Sequence, residues 1–216
     1  MAVADHLYRF TLVDIGAYGG NSDGGIFSDS QIGLNLNNEQ LNLPKGTINL
    51  PGSTLKTFGF FIADDAFKLS NRIMKPYSGK NLSDKQKICN YRFSRARRTV
   101  ESAFGILANK WRILHTAICM LPETANIITT ASVCLHNYVL KEEQRSGYKF
   151  YSKEITPENN INQNPTWFPL SNVEECSGNV RDAQNQRNTL CEYFVSPTGE
   201  LAWQYDFIRR GVHADN

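Results

Sequence analysis

No stretch of this 216-residue chain approaches the ~18 consecutive apolar residues of a membrane-spanning helix, so a membrane span is not expected. Residues 1–14, MAVADHLYRFTLVD, lack the basic start and long apolar core of a signal peptide, which predicts a protein that stays inside the cell. The five cysteines (Cys89, Cys119, Cys134, Cys176, Cys191) form no CxxC pair. Their odd number and irregular spacing argue against a disulfide framework and a zinc ligand set, and predict reduced thiols, most of them small core residues. The glycine-rich stretch IGAYGGNSDGG matches neither GxGxxG nor GxxxxGK(S/T), so a nucleotide-phosphate loop is a poor reading. There is no internal repeat. The four histidines are scattered, and His136 in SVCLHNYVL reads as a helix residue near the core rather than a ligand.

What is present suits one α/β domain with a real core, since 41% hydrophobic and 20% charged residues is an ordinary globular balance. The net charge of +2 conceals an uneven distribution. From Lys68 to Arg112 twelve basic residues stand against two acids, Asp84 and Glu101. Such a block suggests a polyanionic substrate, because clustered cations neutralise phosphates; the alternative is a solvated basic helix face.

The chain is organised around FGFFIADDAF, Phe58 to Phe67. Its aromatic and aliphatic run reads as a buried strand that delivers Asp64 and Asp65 to its carboxyl edge. Upstream, LYRFTLVD reads as a strand ending at Asp14, and IFSDSQIGLNL as a helix that Asp14 or Asp23 could serve as turn and cap acids. Residues 37–55 read as a connection with little regular structure. The apolar residues of FKLSNRIMKPY suggest a short helix ended by Pro76.

The longest helix is expected from about Lys85 to His115, with Val100, Phe104, Leu107, Trp111 and Leu114 forming one apolar stripe. Glu101 lies at the edge of that stripe, one turn from Arg97 and Gly105. This fits a metal ligand held by a rigid element, and equally a surface glutamate paired with Arg97. Gly105 costs about 1 kcal/mol of helix propensity relative to alanine, offset if it allows close packing. Pro122 marks the start of a second long helix with an apolar face through Ile127, Ala131, Leu135 and Val139. Both helices are expected to cover one side of the sheet. Residues 144–179 read as an extended segment tied down by Trp167 and Phe168, followed by an amphipathic helix from Val180 to about Val195. The stretch GELAWQYDFIRRG is either a short strand or a docked tail.

At DIGAYGGNSDGGIF, FIADDAFKLSNRIMKPYSG and NYRFSRARRTVESAFGILANKWRIL the chain resembles the transposase-derived nucleases of the PIF/Harbinger group, the DDE superfamily endonucleases. The resemblance covers about residues 1–140, and the tail motif YFVSPTGELAWQ is also similar to members of that group. It implies an α/β, RNase H-like fold with a mixed sheet flanked by helices. The expected division is a partial endonuclease domain over residues 1–140 and a C-terminal extension over 141–216.

The resemblance further implies a metal-dependent DNA endonuclease using divalent cations, Mg²⁺ or Mn²⁺, held by three acids. The second acid falls on Asp64, with Asp65 as its close competitor, and the third on Glu101. These two are the implied catalytic and metal-binding residues. Asp23, in SDGG, matches a recurrent family position without being taken as catalytic. The first acid of the family belongs to a motif upstream of the strand at which this chain begins, and neither Asp5 nor Asp14 inherits its role. The chain is therefore expected to be an N-terminally truncated, C-terminal portion of the nuclease domain. Arg95, Arg97, Arg98 and Lys110 are candidate DNA contacts. DNA, and a Myb-like DNA-binding protein of the kind that works beside family members, are the implied partners, with the nucleus as the expected compartment. The alternative is a catalytically inactive, domesticated module that binds DNA or protein.

Overall fold

The computed structural model describes residues 1–18, 20–147 and 180–206. In chain order its elements are β1 (Ala2–Ala4), β2 (Phe10–Val13), α1 (Asp23–Asp29), α2 (Gln31–Asn37), β3 (Thr47–Asn49), β4 (Lys56–Phe58), β5 (Phe61–Ile62), β6 (Ile73–Met74), α3 (Asp84–Lys110), a 3₁₀ turn (Arg112–His115), α4 (Pro122–Ser146) and α5 (Val180–Phe194). The architecture is mixed α/β with small sheets. Among the described residues the strands pair two by two, β1 with β2 and β3 with β4 antiparallel, β5 with β6 parallel. No helix of the described residues is long and apolar enough to cross a membrane.

The chain divides into two compact units. One takes its described residues from Met1–Gly20 and Thr99–Pro169, the other from Asn21–Arg98 and Leu170–Asn216. Helix α3 gives its first part to the second unit and its last part to the first.

In the first unit Phe10, Ala103, Leu107 and Val133 form the core, with Tyr8, Trp111 and Leu114 packed around it. Helix α4 begins with Pro122 at a position where a missing N–H costs nothing, and ends at Gly147 in the left-handed region (φ 69°). Its Asn137 side chain supplies what a neighbouring strand would. It accepts from the Phe10 N–H at 2.9 Å and donates to the Phe10 carbonyl at 2.7 Å. His136 is fully buried beside it, with Nε2 2.8 Å from the Tyr8 carbonyl.

In the second unit α5 buries Ala183, Gln186, Leu190 and Tyr193, a spacing of three and four that keeps one face inward. Of these, Ala183, Leu190 and Tyr193 meet Met74, Cys89 and Phe93 in a single core. Ser30 ends α1 and caps α2, its hydroxyl accepting from Gly33 N at 2.9 Å. The tail docks here too. Arg92 donates to the Gly199 carbonyl at 3.1 Å and to Gln204 Oε1 at 3.2 Å, and its guanidinium lies 4.5 Å from the Phe194 ring.

Several expectations are corrected. The run from Phe58 is two short strands, β4 and β5, with a break at Gly59 and Phe60. Residues 37–55 contain β3, which forms an antiparallel pair with β4. The segment after Phe67 is not helical, because Ile73 and Met74 pair with Phe61 and Ile62 as β6. In the last part of α3 the buried residues are Ala103, Ile106 and Leu107, while Phe104 is 44% exposed. Gly105 has open space where a Cβ would stand, so it serves no close packing. Helix α4 is turned away from its expected phase: Ser132, Val133 and His136 are buried, whereas Ile127, Ala131 and Leu135 are exposed. Cys89 and Cys191 are core residues, but Cys119 and Cys134 are exposed. Trp167, Phe168 and Cys176 lie outside the described residues.

Candidate functional site

The acid corner is built by the β5–β6 pair. Parallel pairing of Phe61 with Ile73 and Ile62 with Met74 is extended by a bond from Ala63 N to the Met74 carbonyl at 2.9 Å. The chain then turns at Asp64, whose Oδ1 accepts from Ala66 N at 2.9 Å, a local side-chain bond that aspartate makes readily. Asp65 points outward instead. Lys75, directly after β6, places Nζ 3.0 Å from Asp65 Oδ1 and 3.1 Å from its carbonyl.

Helix α1 closes against this corner within the same unit. Phe27 packs edge-on to Phe67 at 5.3 Å, and a Cβ on Gly24 would lie only 2.8 Å from the Ala66 carbonyl. The glycine after Asp23 therefore permits a close approach that a side chain would block. Ser22, rather than Asp14 or Asp23, caps α1. Asp23 stands in its first turn, where a carboxylate favours the helix dipole. Asp5 is committed elsewhere, 2.7 Å from Arg9 and accepting from the Leu7 and Arg9 N–H groups.

Asp64 belongs to the second unit, whereas Glu101, exposed on the last part of α3, belongs to the first. Among the described residues no group of three or more His, Cys, Asp and Glu side chains gathers to hold a metal. Carboxylate oxygens are the donors Mg²⁺ takes, and this ion uses few protein ligands. The donor chemistry thus suits one hard cation; the number of gathered acids falls short of a bridged metal pair.

The basic block divides by use. Arg92 is structural, and burial pushes its pKa below the ordinary value. Arg95 lies 4.4 Å from the Trp203 ring and donates to the Tyr91 hydroxyl at 3.4 Å, so the tail occupies part of its guanidinium. Lys85 pairs with Glu192 at 2.6 Å and Lys87 with Asp84 at 3.1 Å. Arg98 and Lys110 are exposed and Arg97 is half-buried.

Three features escaped the sequence reading. The Lys75–Asp65 pair joins residues with no regular spacing. A cavity of about 360 Å³ is lined in part by Phe27, Phe58, Lys68, Asn71 and Arg72. Cys89 and Cys191 interact side chain to side chain, which lowers the Cys191 pKa to about 7 and raises that of Cys89. Asp65, the basic residues and the aromatics of these features stand out in the sequence, without their mutual placement.

Residues 1–137 match the family described as DDE superfamily endonuclease. The chain is also similar to "Protein ALP1-like" of Arabidopsis thaliana, at 28% identity over 153 residues, covering 67% of this chain and 36% of that protein. The chain thus spans little more than a third of the length of that curated relative. No solved structure matches.

Proposed function

The chain belongs to the DDE superfamily endonucleases, and from that membership we propose that it is a metal-dependent DNA endonuclease derived from a Harbinger-type transposase. The family match over residues 1–137 carries this reading. Residues 1–140 are the endonuclease part, with an RNase H-like sheet as its framework, and 141–216 are a C-terminal extension. Asp64 and Glu101 serve as metal-binding and catalytic carboxylates for Mg²⁺, or Mn²⁺ in its place. The bound ion would supply Lewis-acid polarisation of a phosphodiester oxygen.

The residues of the chain support individual parts of this proposal. The Ala66 N–H holds one oxygen of Asp64 at 2.9 Å and so orients its carboxylate. Lys75 occupies Asp65 at 3.0 Å, which favours Asp64 over its neighbour as the ligand. Arg98 and Lys110, both exposed, contact backbone phosphates together with Arg97, and Arg95 joins them with the face that Trp203 leaves open. DNA is the substrate, a Myb-like protein the partner that selects it, and the nucleus the place of action.

A plasmid-nicking assay with Mg²⁺ or Mn²⁺ tests the proposal. The chain converts supercoiled to open-circular DNA, and Glu101→Gln and Asp64→Asn reduce that conversion by at least about 100-fold. Equal cleavage by Glu101→Gln sinks the site assignment. One observation favours a second reading: no group of three acids gathers among the described residues. On that reading the protein is an inactive, domesticated module that binds DNA or protein. It cleaves nothing, yet binds duplex DNA with an affinity that falls steeply as salt rises. Absence of duplex binding at low salt counts against DNA as its target.

A further inference from the structure

Helix α4 carries two apolar faces and the first unit uses only one. Val133 and His136 face that unit's core, while Ile127 (68% exposed), Leu135 (50%) and Tyr138 (61%) line up with Ala131 on the opposite side. Their spacing of four, four and three residues makes a continuous stripe along the helix. Leu121, 72% exposed, extends the apolar surface at the helix start. Isolated apolar residues on a surface need no explanation, but a contiguous stripe of this length marks an interaction site.

We propose that this outward face of α4 is a self-association surface on which a second copy of the chain lays its own α4 antiparallel. The stripe is complementary to itself about Ala131. With that small residue on the two-fold axis, Ile127 meets the partner's Leu135, and Thr124 meets the partner's Tyr138. The charges make the same choice of direction. Glu123 and Lys141, both exposed, are eighteen residues apart, five whole turns at about 3.6 residues per turn, and so stand on one flank of the stripe. Like flanks face each other in an antiparallel pair. Each Glu123 then lies about 3 Å along the axis from the partner's Lys141, within reach of that long side chain, giving two equivalent ion pairs, as an isologous two-fold interface requires. A parallel arrangement brings no such pairing. The inference is independent of whether the acid corner cleaves DNA.

Sedimentation equilibrium of the full chain tests it. The expected mass at high concentration is twice the 24.4 kDa of one chain. Leu135→Glu weakens the dimer dissociation constant by at least about tenfold, with the circular dichroism spectrum unchanged because Leu135 is outside the core. Glu123→Lys and Lys141→Glu each weaken association, and the double exchange restores it. Ala131→Cys supplies a readout that does not depend on the tolerance of Leu135→Glu. In a Cys119→Ser, Cys134→Ser, Cys176→Ser background, which removes the exposed thiols Cys119 and Cys134, it forms a disulfide-linked dimer under peroxide that the background alone does not form. A wild-type chain that stays monomeric at every concentration overturns the proposal. So does a dimer unaffected by Leu135→Glu, or an Ala131→Cys chain that fails to cross-link.

Discussion

Lys75 Nζ lies 3.0 Å from Asp65 Oδ1, while the adjacent Asp64 turns its own carboxylate back onto the Ala66 N–H. Two neighbouring aspartates thereby acquire different chemistry. One is a surface ion-pair partner and the other an oriented acid at the end of a strand. This relationship separates two residues that a shift of one position in the motif would exchange.

The first prediction follows from that separation. In the nicking assay Asp64→Asn removes cleavage, whereas Asp65→Asn leaves it within a few-fold of the wild type. Because Asp65 is 73% exposed, Lys75→Met changes stability by no more than about 1 kcal/mol, as chemical denaturation will measure. Loss of cleavage in Asp65→Asn with retention in Asp64→Asn reverses the assignment.

A second prediction concerns the glycine beside Asp23. A methyl group at Gly24 would sit 2.8 Å from the Ala66 carbonyl, and the obstacle is backbone rather than the flexible end of a side chain. Gly24→Ala therefore forces α1 away from the acid corner at a cost of about 1–3 kcal/mol. Gly25→Ala is the control, since its nearest contact is a side-chain atom, the Ser22 hydroxyl at 3.1 Å, which need give only slightly and can keep its bond from Gly25 N. Equal midpoints for the two variants in urea unfolding would refute the close approach.

Much of this arrangement is legible in the sequence, and the parts that are not share a cause. Helix α5 was expected from Val180 and runs Val180–Phe194, because its apolar residues occupy a single face. Pro122 marked the start of α4 and His136 its core for equally local reasons. The phase of α4 was not legible, since Ile127, Leu135 and Val133 are comparably apolar and only the position of Phe10 and Leu107 decides which face is buried. The spacing of Ile73 and Met74 from Phe67 and Leu69 suggests a helix. Their pairing with Phe61 and Ile62 is non-local and overrode that spacing. At the site, Asp64 was visible as a strand-end acid, but the partner that distinguishes it from Asp65 is ten positions away in sequence and follows no periodicity.

Gly105 supports a prediction of the opposite sign. It lies inside α3, and a Cβ there meets nothing within 4 Å. Its cost in helix propensity therefore has no packing return. Gly105→Ala raises stability by about 0.5–1 kcal/mol, readable as a higher denaturation midpoint with an unchanged slope. A destabilised variant would mean that this part of α3 contacts something that the open space conceals.

The last prediction uses His136, which is fully buried with Nε2 2.8 Å from the Tyr8 carbonyl. Burial lowers its pKa below the ordinary value, opposed in part by the bond to Tyr8 and by the charge of Glu143. The folded protein therefore takes up a proton at this ring less readily than the unfolded chain, whose histidine titrates near ~6.5. Stability from this group is full above that value and falls as the pH drops below it, until the folded ring is itself protonated. The thermal midpoint should consequently fall between about pH 7 and pH 5. His136→Gln keeps a side-chain amide to donate to the Tyr8 carbonyl but cannot titrate, so its midpoint should change less over the same range. A variant as steep as the wild type would assign the loss to other groups.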